Sequence, residues 1–155
     1  MAQGAFNRDN RHSPLGFYNL AEDFYRSAIH IAAGTRERHL RLHFQDNVSY
    51  YLHTHSIELT LKAFLRAKNI TPEDLAGKNL RHRLDKIFTK AIELKLRVAK
   101  PKHTEAITRR LGELAGTQTF RYFETRIVLD MPVLDEVRLA NERLLIAVKP
   151  VCVKR

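Results

Sequence analysis

The chain holds a single cysteine, Cys152, and no tryptophan. One cysteine excludes an internal disulfide framework and a thiolate zinc cage. No apolar run approaches the ~18 residues that a membrane-spanning helix needs. The opening, MAQGAFNRDNRHSP, has no apolar stretch ahead of a cleavage site, so no secretory leader is expected. A cytoplasmic protein is the simplest expectation. A glycine-rich phosphate loop is missing, because Gly112 and Gly116 stand too far apart, and there is no nucleophile elbow. Acidic residues are scarce relative to basic ones, 17 against 27, which leaves a net charge of +10. Such a balance bears on partners rather than fold, and it favours polyanions: RNA, DNA or nucleotides.

What is present suits one globular domain. The 155 residues are 44% hydrophobic, enough for a single core that buries about two-thirds of the unfolded surface. Residues 1–13 read as a flexible basic arm. Ser13-Pro14 offers a cap followed by proline at the first helical position. Phe17, Ala21, Phe24, Tyr25, Ala28 and Ala32 then recur at helical spacing, and Gly34 supplies a stop, so a helix is predicted over 14–33. A second helix is predicted over 47–68. It carries two apolar lines, one of Val48, Leu52, Leu59 and Ala63 and one of Ile57, Leu61 and Phe64, which makes it the central helix. Thr71-Pro72-Glu73-Asp74 predicts a single capped turn. Further helices are predicted over 80–98, from a Thr104 cap to Gly116, and over 132–150, with Pro101 and Pro150 as stops. Residues 117–130 are read as irregular or as a short helix, and 150–155 as a short basic tail. The whole is expected to be all-α: an antiparallel up-and-down bundle of four to five helices over 14–149.

The central helix carries a third line: Tyr51, His55, Glu58 and Lys62, at spacings that put them on one face. Two readings stand. Tyr51 lies at the core edge beside an exposed Glu58–Lys62 pair worth about 0.3 kcal/mol. Alternatively, the line is a polar stripe in a cleft, where His55 exchanges a proton and Glu58 orients a partner.

The run His55-Ser56-Ile57-Glu58-Leu59-Thr60-Leu61-Lys62-Ala63-Phe64-Leu65 resembles the HAIELxLKAxL helix of the HEPN-domain family, the higher eukaryote and prokaryote nucleotide-binding domain. Leu80 to Ile87, with His82 inside it, occupies the place of that family's GHDLxxL element. Arg121-Tyr122-Phe123 stands where an RYP element is often found. Arg81 replaces the usual glycine, Arg83 replaces the aspartate, and no proline follows Tyr122. The resemblance implies an all-α bundle, commonly dimeric. It also implies one of several roles: an RNase toxin or defence nuclease, a non-catalytic partner of a small nucleotidyltransferase, or a sensor module, in stress response or defence.

Active members of that family carry an arginine and a histidine separated by four to six residues. Arg38 with His43 and Arg97 with His103 match this spacing, both in connectors rather than on a late helix. An arginine steadies charge on a scissile phosphate and a histidine relays the proton. The set His55, Glu58, His82 and Arg121 is the stronger candidate. Even so, the isolated chain is expected to be weak or inactive as a metal-independent ribonuclease.

Arg36, Arg38 and Arg41 form one basic segment for nucleic-acid contact. Lys62, Arg81, Arg83 and Arg121 are further phosphate-binding candidates, and Arg109, Arg110 and Arg126 extend a possible second patch. His39 and His43 would share a helical face, but the neighbouring arginines oppose a metal ion. His53 and His55 point apart on a helix. No metal and no cofactor is expected. The expected partners are a second copy of the chain, RNA or a nucleotide, and a protein partner as the rival reading, with no membrane. A homodimer also follows from more apolar lines than one bundle interior requires.

Overall fold

A computed structural model describes residues 12–38, 40–42, 45–116 and 131–153. Among them the chain is all-helical, with no strand and six helices: α1 (Pro14–Arg36), α2 (Gln45–Ala67), α3 (Pro72–Ala76), α4 (Leu84–Glu93), α5 (Pro101–Gly116) and α6 (Leu134–Cys152). No described helix is long and apolar enough to cross a membrane. His39, His43, Arg121 and Arg126 lie outside the described residues, as do 117–130 and most of the N-terminal arm.

α2 is the centre of the bundle. Every residue from Ser56 to Leu65 is buried, so the helix is covered on all sides. Its most extensive pairing is with α1, followed by α6. Contacts fix the directions. Arg66 reaches the His12 carbonyl while Ser56 reaches that of Ala21, so α1 and α2 run antiparallel. The Tyr18 hydroxyl on α1 donates to the Leu145 carbonyl on α6. The core joins Tyr18 and Ala21 of α1 to Ile57, Leu61 and Phe64 of α2, Ile87 and Phe88 of α4, Leu111 of α5 and Leu144 and Val148 of α6. Each fully buried side chain of this size contributes about 1.5–3 kcal/mol relative to exposure.

The caps follow the sequence. The Ser13 hydroxyl accepts from the Gly16 amide at 2.9 Å, with Pro14 at the first helical position. Thr71 caps α3 through the Asp74 amide at 3.1 Å.

Several expected boundaries are corrected. α1 continues through Gly34 to Arg36. That glycine serves close approach rather than termination: a Cβ there would sit 3.2 Å from the Leu40 Cβ of the returning chain. Arg38, at φ 60°, turns the backbone out of the helix instead. The helix expected over 80–98 forms only over Leu84–Glu93. Residues before it make turns, and Lys95, at φ 70°, ends it well before Pro101. Pro101 opens α5, and Thr104 lies inside that helix with its hydroxyl on the Ala99 carbonyl. Gly112 lets α5 close on α4, since a Cβ there would meet the Leu84 Cβ at 3.0 Å. Pro150 does not close α6, which runs on to Cys152. Val48, assigned to an apolar line, is exposed.

Candidate functional site

The stripe on α2 is half buried ion pair and half aromatic edge. Glu58 and Lys62 are one turn apart, and Lys62 Nζ donates to Glu58 Oε1 at 2.6 Å. Their side chains are only 10% and 11% exposed, so the expectation of an exposed surface pair is overturned. The reason is the turn between α3 and α4, which folds over this face. Gly77 accepts from the amides of Leu80 and Arg81, and Leu80 packs against the core, while buried Leu84 anchors the start of α4. The turn delivers His82 to the same carboxylate oxygen, with Nδ1 3.0 Å from Glu58 Oε1.

A carboxylate only accepts, so the His82 Nδ1 carries the proton and donates. Nε2 is left at the outer end of a side chain that is 64% exposed. A buried acid thus fixes the tautomer and direction of an outward imidazole. Arg81 and Arg83 flank it, both exposed. Arg83 forks onto Asp85, with both nitrogen–oxygen distances at 3.3 Å. Partial burial opposes the Asp85 charge, but the Arg83 hydrogen bond and the Lys86 amide hold its carboxyl below the usual range. The Arg81 guanidinium, unlike its backbone amide, makes no hydrogen bond or ion pair with another described residue. Lys62 therefore offsets Glu58 and Asp85 offsets Arg83. Arg81, and His82 when protonated, remain as uncompensated positive charge on the exposed turn.

His55 lies one turn before Glu58 and is half-buried. Its ring is met edge-on by Phe24 of α1, with centroids 4.5 Å apart, and is stacked at 10° on Tyr51, with centroids 6.1 Å apart. Lys62, a phosphate candidate from sequence, is instead committed to Glu58. Arg36, Arg38 and Arg41 are exposed around the end of α1.

Arg97 and His103 do not form a pair. His103 is held from α6 instead. Its Nε2 lies 2.8 Å from Glu136 Oε2, and its Nδ1 accepts from Arg143 Nη1 at 3.1 Å. Both ring nitrogens are engaged, so this histidine has no atom left for a ligand. His82 keeps one, and that difference selects it. Arg109 is tied to Glu105 and Thr89, and Arg110 to Glu113, so these two are less available than Arg81. No group of three or more histidine, cysteine or acidic residues that could hold a metal ion occurs among the described residues.

One polar network was missed from sequence. His53 is buried, and its Nδ1 lies 3.1 Å from the Asn141 amide nitrogen. Asn141 Oδ1 lies 3.0 Å from the Ser56 hydroxyl, which is 2.7 Å from the Ala21 carbonyl. Burial first, and then the nearby Arg138 charge, push the His53 pKa down to about 4. This neutral histidine fastens α2 to α6 while Ser56 ties in α1. The one available signal was Asn141 itself, a polar residue in line with Val137, Leu144 and Val148.

No family model matches the chain, and neither a curated protein nor a solved structure matches it.

Proposed function

We propose that this chain is a HEPN-like helical module that engages RNA or another phosphate-bearing ligand, with the His82 turn as the anion contact. One observation carries the reading: an outward imidazole seated by Nδ1 on buried Glu58, next to an arginine whose guanidinium has no described partner. A phosphate oxygen accepts from Nε2–H of the protonated ring and from the planar guanidinium of Arg81. The net charge of +10 adds a long-range attraction that is independent of sequence. The role is binding rather than cleavage, in a cytoplasmic setting, and the module pairs two-fold with a second copy.

Fluorescence anisotropy of a labelled mixed-sequence RNA tests this. Affinity should fall steeply between 50 and 200 mM salt, by about 10³-fold if some six phosphates are contacted. The pair of changes Arg81→Ala and His82→Gln should weaken binding about tenfold or more. Reversing Arg36, Arg38 and Arg41 should weaken it for all sequences alike. Binding that is indifferent to salt and to the His82 turn would refute the reading.

A further inference from the structure

Phosphate contacts alone do not use the other half of the α2 stripe. Tyr51 precedes Glu58 by two turns at nearly the same azimuth, and His55 precedes it by three residues on the same side of the helix. Tyr51 is 37% exposed, and its ring lies at 10° to the His55 ring. His55 is braced edge-on by Phe24. Two near-parallel rings, one of them wedged against a third from another helix, form a preorganised flat surface. Its open end faces solvent, two helical turns from the positively charged His82 turn. Stacking there loses little side-chain freedom, because the rings are already fixed.

We propose that Tyr51, backed by His55, is a base-stacking subsite, so that the ligand of the His82 turn is an unpaired nucleic-acid strand. This rests on the phosphate reading above and narrows it. Seven residues of helix separate Tyr51 from Glu58, a rise of about 10 Å. One nucleotide with its flanking phosphates bridges that distance, with the base on the Tyr51 ring and a phosphate at His82 and Arg81. Every base offers a flat face, so the subsite tolerates sequence. A duplex keeps its bases inside the stack and presents only phosphates. The platform therefore discriminates single strands from double strands rather than one base from another.

The test uses the full chain and three probes: a single-stranded uridine 12-mer, an abasic 12-mer of the same backbone, and a 12-base-pair RNA duplex. The wild-type chain should bind the uridine strand about tenfold more tightly than the abasic one. Tyr51→Leu should remove that advantage while leaving abasic binding unchanged, and Tyr51→Phe should retain it. Arg81→Ala with His82→Gln should weaken all three probes. Thermal melts of each variant report whether the fold is intact. Equal affinity for uridine and abasic strands in the wild type would overturn the stacking subsite and leave the phosphate contact standing. So would a uniform loss on all probes in Tyr51→Leu. Binding of the uridine strand unchanged in Tyr51→Leu, together with a halved mass in light scattering, would overturn it by showing the ring at an interface between copies. No binding of any probe by the wild type would overturn the phosphate reading and the subsite together.

Discussion

Glu58 Oε1 stands 3.0 Å from His82 Nδ1 and 2.6 Å from Lys62 Nζ, so one buried oxygen aims an imidazole and neutralises an ammonium. Removing either charge leaves the other buried without its partner. Glu58→Leu alone should therefore destabilise the fold by about 3–5 kcal/mol. Glu58→Leu combined with Lys62→Met should recover most of that loss, because two apolar side chains of similar volume replace the pair. Urea melts of the single and double variants measure both. Additive losses would show that the pair is solvated.

His53 gives the chain a pH-dependent stability of known sign. Its folded pKa of about 4 lies below the ordinary 6.5, so the native state prefers the neutral ring. Stability is complete above the unfolded value and is lost as pH falls from about 6.5 towards 4. The loss is of the order of 3 kcal/mol. The edge-on Tyr25 ring, the Asn141 amide and the Arg138 charge all face this group, and none favours a proton there. His53→Gln should flatten that part of the stability profile. An unchanged slope in the variant would assign the acid sensitivity to other groups.

The helices were legible because their apolar spacing is strong. Ile57, Leu61 and Phe64 were placed correctly, and all three are buried. Helix ends were less legible. Pro101 serves equally as a stop for one helix and as the first residue of the next, and only the three-dimensional path decides. Lys95 and Arg38 take left-handed backbone without being glycine, so no residue type marked those turns. Within the site, the Glu58–Lys62 spacing was visible, but its burial was not, because it depends on the turn that brings His82 over α2. His103 with Arg143 and His53 with Asn141 join residues 40 and 88 positions apart, and no local pattern predicts such pairs.

Lys95 holds φ 70° at the end of α4, where its amide donates to the Ile92 carbonyl. A side chain there strains the backbone, while glycine is free of that cost. Lys95→Gly should raise stability by about 0.5–1 kcal/mol, less whatever the unfolded chain gains in freedom. A drop in the melting temperature would mean that the lysine side chain contributes more than the strain removes.

Cys152 packs against the core at the end of α6, and burial pushes its thiol up to about 11 from 9.0. Only the thiolate reacts with alkylating agents. Iodoacetamide at pH 8 should label the folded chain about a hundredfold more slowly than an ordinary cysteine. Rapid labelling would show that the last turn of α6 opens.

In the proposed contact, the outward ring of His82 receives a phosphate oxygen. Carbon-13 NMR of the histidine ring Cε1–H groups reads this directly, with His82→Gln and His103→Gln spectra as assignments. Added RNA, or tripolyphosphate as a base-free probe, should shift the His82 resonance in proportion to occupancy. The His103 and His53 resonances should stay in place, since both ring nitrogens of His103 are already engaged and His53 is buried. A saturating RNA that moves His103 and leaves His82 unmoved would contradict a phosphate contact at His82.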